Sequence, residues 1–201
     1  MADGQKPILQ APDSYIDYLW NVLQQEPGMI AYWLERQQGI IPASTPPPRR
    51  HLVQIIQLEY NAARKTGPTD TSFPIPFFVN DRKGISLSDA LAQDFVGLLG
   101  AEELVGPLSS SDKATYRLQL PEGRPFQKQA PSRRATVRRE CLARYKVAHH
   151  VAKAVCACIA RDGGVWVDQN AGDVRFDELF LLELRPVSKA SWQPVLAVYR
   201  Y

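Results

Sequence analysis

Residues of the two types that usually hold zinc recur within one stretch of the sequence. They are Cys141, His149, His150, Cys156 and Cys158. Thiolate and imidazole are common zinc ligands. The stretch also has helical periodicity, and a rise of about 1.5 Å per residue separates His149 from Cys156 by about 10 Å along the axis. We therefore expect no metal ion and no other cofactor in this chain.

A cysteine nucleophile is the second chemistry to consider. It needs a histidine within hydrogen-bond reach and a setting that stabilises the thiolate, such as a helix N-terminus. Cys156 and Cys158 fall near the expected helix C-terminus, where the dipole opposes an anion. We interpret the cysteines as reduced core residues. The sequence leaves enzymatic activity open and favours a protein without it.

The loop from Asp168 to Asp173 has the oxygen ligands of a calcium loop at its first and third positions. Gly172 then occupies the fifth position and Leu179 the twelfth, where a bidentate glutamate is needed. We predict a turn at this place instead.

Positive charge gives the strongest chemical signal. The net charge is +3, yet residues 113–161 contain 12 Lys or Arg and only two acidic residues, Glu122 and Glu140. Clustered cations raise the local potential and attract anionic partners. The alternative is a solvated helix face preceded by a basic loop, with no partner at all.

We predict that a basic loop and helix, about residues 113–146, bind an anionic partner. The expected partner is nucleic acid, either RNA or DNA, or else an acidic protein. Arginine suits phosphate because its planar fork donates two hydrogen bonds at once. Phe126 and Tyr116 are available for stacking, but no nucleic-acid-binding motif is present. The predicted binding residues are Arg117, Arg124, Lys128, Arg133, Arg134, Arg138, Arg139 and Lys146.

A long helix is expected to carry much of this charge. Apolar residues recur at spacings of three and four from Val137 to Ile159, which predicts a helix with one buried face. Ser132 is a suitable N-cap and Gly163 a suitable end. Arg133 and Arg134 would then stand at the helix N-terminus, where backbone donors favour phosphate. A basic strip that includes Lys146, Lys153 and Arg161 is left on the outer side.

The remaining elements predict an α+β fold. We expect an antiparallel sheet, made of a C-terminal β-meander plus one or two further strands, packed on the long helix. His51–Lys65 is assigned to a helix and Pro121–Pro131 to a loop. The predicted strands are Phe73–Val79, Tyr116–Leu120, Val165–Val167, Leu179–Val187 and Gln193–Tyr199.

The N-terminal part is expected to differ from the rest. Residues 1–50 are assigned to a helical hairpin and a Pro-rich arm, and residues 51–201 to a single α+β domain. A rival hypothesis makes the protein a structural or assembly protein, such as a homo-oligomer or an adaptor. Its interface anchors would be Trp20, Tyr32 and Trp33.

Hydropathy predicts no interaction with the membrane. The sequence contains no run of 18 apolar residues and no signal-peptide pattern, so we expect a cytoplasmic or nuclear protein. A small enzyme with an unrecognised pocket is the third hypothesis.

Overall fold

The fold was analysed in a computed structural model. The structure describes residues 38–40, 51–58, 73–106, 108, 112–121, 123–133, 141–188 and 190–200. Leu52–Arg200 form one compact unit. The N-terminal helical hairpin, with Trp20, Tyr32 and Trp33, lies outside the described residues. The division into residues 1–50 and 51–201 stays a prediction.

A mixed sheet forms the centre of the unit. Its seven described strands are β1 (His51–Gln54), β2 (Ile75–Pro76), β5 (Ile85–Ser86), β6 (Lys113–Leu118), β7 (Phe126–Pro131), β10 (Leu179–Ser188) and β11 (Ser191–Arg200). The central order is β2-β10-β11-β6-β7, with β1 beside β11 and β5 beside β10. Strands β6 and β11 are parallel, whereas β6 and β7 are antiparallel.

The predicted antiparallel sheet is therefore wrong, and so is the α+β class that was built on it. The described chain is mostly sheet, with one long helix and one short one. Periodicity shows which residues form a strand and which face is buried, but it does not choose the neighbouring strand or its direction. The segment of chain between β6 and β11 is long enough for β11 to lie parallel to β6.

Smaller elements complete the fold. Strands β3 (Phe78–Val79) and β4 (Arg82–Lys83) form one hairpin, and β8 (Val165–Asp168) and β9 (Gly172–Arg175) form another. The helices are α1 (Leu87–Ala92), α2 (Arg144–Arg161) and a 3-10 turn at Phe176–Glu178. Among the described residues, no helix is long and apolar enough to span a lipid bilayer.

Helix α2 begins at Arg144, not at Ser132 as predicted. Ala143 and Leu142 are held in extended backbone by residues 104 and 105, since Leu104 bridges Ala143 and the Val105 amide donates to the Leu142 carbonyl. The predicted end is confirmed, because the Gly164 amide donates to the Ile159 carbonyl and Gly163 has a φ of 94°. The apolar spacing of Val137 and Cys141 therefore extended the predicted helix too far.

Helix α2 covers one face of the sheet. Val147, Val151 and Val155 are fully buried in a core that also contains Tyr116 and Leu196. Burial of each such side chain stabilises the fold by about 1.5–3 kcal/mol. A smaller cluster on the other face contains Leu182, Val195 and Ala197. The sheet is thus packed on both faces along β10 and β11.

Two segments that were not predicted to be strands are strands in the structure. Residues 51–54 form strand β1, where a helix was expected, and the Ile55 amide continues the pairing by donating to the Leu196 carbonyl. Residues 126–131 form strand β7, where a loop was expected. In both segments, pairing with a distant strand decides the conformation.

The C-terminal predictions are confirmed in part, but the predicted β-meander is wrong, because β8 pairs with β9 in a separate two-stranded sheet. Strands β10 and β11 form the expected hairpin, and a turn follows Asp168. The Asp168 carboxylate is buried and accepts hydrogen bonds from the amides of Asn170, Ala171 and Ile56 at 2.8, 2.9 and 2.9 Å. This side chain closes the turn and ties it to the segment after β1.

Candidate anion-binding surface

Strand β7 and helix α2 lie side by side and run in opposite directions. Phe126 at the start of β7 lies beneath Arg161 at the end of α2, with 5.1 Å between the guanidinium carbon and the ring centre. Lys128 Nζ donates to the Lys153 carbonyl oxygen at 3.2 Å. Just after the end of β7 and just before the start of α2, Arg133 forms an isolated β-bridge with Cys141. We call this line of contact the β7–α2 seam.

Five cations lie on the seam or beside it: Lys128, Arg133, Lys146, Lys153 and Arg161. Neither residues 126–133 nor residues 144–161 contain an acidic residue. Lys153 is exposed, and Lys128 and Lys146 are half-buried. The positive charge of the seam is therefore not neutralised by its own two elements.

Arg161 has a largely structural role. Its guanidinium donates to the carbonyl oxygens of Arg124 and Pro125 at 2.8 and 3.2 Å, and its Nε donates to Asp162 Oδ1 at 2.7 Å. The hydrogen bond from Arg161 holds the pKa of the Asp162 carboxyl below its usual range. Arg161 thus fixes the β6–β7 loop, and Asp162 offsets much of its charge.

His150 reports the electrostatic potential of the seam. Its Nδ1 is buried and has no hydrogen-bond partner among the described residues. Burial, together with the positive charges of His149, Lys153 and Lys146, lowers the pKa of His150 to about 4. The ring is therefore neutral near pH 7. Its repulsion by both lysines places a positive field over the outer side of α2.

The structure brings only part of the predicted site together. Lys128 and Arg133 lie on the seam, where the Arg124 backbone carbonyl accepts a hydrogen bond from Arg161. Lys146 lies beside the seam on α2, with its Nζ 5.8 Å from the centre of the Tyr145 ring. Arg117 lies on the opposite face of β6, where its Nη1 donates to Gln127 Oε1 at 2.9 Å. Arg134, Arg138 and Arg139 lie outside the described residues. Arg133 is not at the N-terminus of α2, which begins at Arg144.

The two aromatic residues that were expected to stack on a ligand, Tyr116 and Phe126, differ in their exposure. Tyr116 is fully buried, and burial raises the pKa of its hydroxyl above the usual range. It cannot stack on a ligand. Phe126 is half-buried beneath Arg161. Any stacking at the seam must therefore involve the edge of Phe126 or the outer plane of Arg161.

Cysteine and metal chemistry find little support in the described part of the chain. Cys158 is buried, and this burial raises the pKa of its thiol to about 12, which suppresses the thiolate. His149 Nδ1 donates to the Ala90 carbonyl oxygen at 2.9 Å and joins α2 to α1. The described residues contain no group of three His, Cys, Asp or Glu side chains arranged to hold a metal ion.

Sequence reasoning found the basic strip of α2 but missed the strand that faces it. The alternation of Phe126, Lys128 and Ala130 was the available signal, and Pro125 and Pro131 obscured it. The chain matches no known family model, no curated protein and no solved structure.

Proposed function

We propose that the protein is a non-enzymatic binding module that holds single-stranded nucleic acid, RNA above all, along the β7–α2 seam. The observation that supports this most is the placement of Lys128, Lys146 and Lys153 on one side of the molecule, on two elements without acidic residues. A row of uncompensated lysines attracts phosphate and releases counterions when it binds.

The length of the seam suits a polymer better than a single anion. Helix α2 has 18 residues, which corresponds to about 27 Å at about 1.5 Å per residue. Successive phosphates of an extended single strand lie about twice as far apart as the roughly 3.4 Å axial rise per phosphate in a duplex, so a segment of roughly four nucleotides would follow the seam. Its cations are spread along the helix, so several phosphates would be contacted at once.

The rival assembly hypothesis depends on Trp20, Tyr32 and Trp33, which lie outside the described residues. An acidic protein is the closer alternative, because carboxylates would also bind the lysines. We prefer nucleic acid because the cations are spread along α2, which suits a continuous row of phosphates.

The test is charge reversal on the seam with a matched control elsewhere. The variant Lys146→Glu with Lys153→Glu is compared with Arg82→Glu with Lys83→Glu, which changes the net charge equally on the β3–β4 hairpin. The probe is a fluorescent RNA of about 12 nucleotides. We expect the seam variant to lose more than about tenfold in affinity and the control to lose far less.

Equal losses in the two variants would overturn the proposal, since they would show a response to net charge alone. Displacement of the RNA by an acidic peptide at equal charge concentration would favour the protein partner. Circular dichroism shows whether each variant is folded. Glutamate is a good helix former, and at Lys146 it also complements the dipole of α2.

A further inference from the structure

A cavity of about 310 Å³ lies at the end of β6 and β7 near the loop that joins them. Its lining includes Arg117, Gln119, Gln127 and Gln193. Register places Arg117 opposite Gln127, on the sheet face away from α2. The cavity is thus on the other face of the same two strands that carry the seam cations.

A second cavity of about 400 Å³ is adjacent to the first, and Gln193 lines both. Gln54, Gln57 and Arg185 contribute to its wall. Gln193 Nε2 donates to the Leu58 carbonyl oxygen at 2.9 Å and approaches Gln57 Oε1 at 3.4 Å. We call the two cavities together the glutamine groove.

The chemistry of this groove suits the edge of a planar, polar ligand. A glutamine amide offers one acceptor and two donors, and it forms a paired contact with the N6 and N7 atoms of adenine. Gln127 already uses its Oε1 to accept from Arg117 at 2.9 Å, which fixes the guanidinium plane. A fixed guanidinium plane is a surface on which an unstacked base can lie.

We propose that the glutamine groove binds nucleobases, with adenine favoured. This inference rests on the proposed function, since the same single strand would place its phosphates on the seam and turn its bases around the edge strand β7. Strand β7 ends the described strand order on that side. Phosphate contacts would then supply affinity, and the groove would supply base preference.

The variant Gln127→Ala tests this with a close control. Gln129→Ala removes a side chain of the same type from the same exposed face of β7, two residues further along the strand. Gln129 does not line the cavity. The probes are oligo(A), oligo(U) and oligo(C) of equal length. We expect wild type and Gln129→Ala to prefer oligo(A) by roughly tenfold, and Gln127→Ala to lose most of this preference while keeping its salt dependence.

A second measurement does not depend on the seam. Adenosine and uridine carry no phosphate, and they are titrated into isotope-labelled protein while the side-chain amide signals of Gln127 and Gln193 are followed by NMR. We expect adenosine to shift these signals in wild type and in the Lys146→Glu, Lys153→Glu variant. Equal affinity for the three oligomers, or no shift with adenosine, would overturn the groove. Loss of all oligonucleotide binding with adenosine shifts retained would overturn only the seam.

Discussion

Lys128 on strand β7 donates a 3.2 Å hydrogen bond to the carbonyl oxygen of Lys153 on helix α2. This contact places the Lys128 ammonium against the backbone of a second lysine residue, and neither β7 nor α2 contains an acidic residue. An arrangement of this kind is typical of a surface that binds an anion.

Replacing Lys128 by methionine should weaken RNA binding and change the stability of the fold only slightly. The variant keeps most of the aliphatic stem but removes the charge and the hydrogen bond. We expect a loss of unfolding free energy of at most about 1 kcal/mol and a salt dependence of RNA binding that is weaker by about one phosphate contact. Lys83→Met on β4 is the control and should leave the salt dependence as it is. A stability loss without any change in RNA binding would assign Lys128 a structural role only.

Protonation of His150 should destabilise the fold in mild acid. Its pKa in the folded protein is about 4, mainly because of burial, whereas the usual value in an unfolded chain is about 6.5. The unfolded state therefore binds more protons between these values, and stability falls as the pH drops from about 6.5 towards 4. The full shift corresponds to at most about 3 kcal/mol, and solvent screening of the half-buried ring reduces it.

Urea unfolding of wild type and His150→Ala across this pH range measures the effect. The difference in unfolding free energy between the two proteins should shrink as the pH falls. NMR titration of the ring protons adds a second observable. We expect Lys146→Glu with Lys153→Glu to raise the pKa of His150 and Arg82→Glu with Lys83→Glu to leave it unchanged. A pKa near 6.5 in the folded wild type would contradict the described environment of the ring.

Asp168 should be among the most sensitive polar positions. Its buried carboxylate accepts from three backbone amides, including that of Ile56, which is 112 positions away in the sequence. Because hydrogen bonds to charged groups contribute about 1.5–3 kcal/mol each, we expect Asp168→Ala to cost about 3–5 kcal/mol in chemical unfolding. The exposed Asp173 on the adjoining strand β9 is the control, and its alanine variant should change stability by less than about 0.5 kcal/mol. Similar losses of unfolding free energy in both variants would show that the hydrogen bonds of Asp168 do not stabilise the fold.

Gly84 should tolerate alanine less well than Gly163, although both have a positive φ, of 105° and 94° respectively. A Cβ at Gly84 would meet Leu182 Cδ2 at 2.9 Å, whereas a Cβ at Gly163 has open space around it. The backbone strain is similar in the two variants, so their difference measures the contact between residue 84 and β10. We expect Gly84→Ala to be less stable than Gly163→Ala by about 1–3 kcal/mol. Equal melting temperatures would show that Leu182 moves aside freely.

Local patterns predicted the elements whose conformation depends on their own sequence. The body and end of α2 followed from apolar spacing and Gly163, and the β10–β11 hairpin followed from two apolar runs around a short polar turn. The turn after Asp168 followed from its composition. In each case the deciding interactions lie within a few residues or between adjacent elements.

Long-range pairing explains the failures. Nothing in residues 113–118 indicates that β6 lies parallel to β11, and nothing near His51 indicates that β1 pairs there as well. The missed strand β7 mattered most for function, because Lys128 belongs to the seam only when residues 126–131 are extended beside α2. Charge counting found the correct part of the chain, but it could not separate Lys128 from Arg117 on the opposite face.

The dependence of RNA affinity on salt concentration tests the central claim most directly. If Lys128, Arg133, Lys146 and Lys153 each neutralise a phosphate, the logarithm of the association constant should fall against the logarithm of the salt concentration with a slope of about −3 for a single strand. The affinity would then drop about 50-fold between about 50 and 200 mM salt. The Lys146→Glu, Lys153→Glu variant should roughly halve this slope. A wild-type slope near zero, or a slope that the seam variant leaves unchanged, would contradict the account.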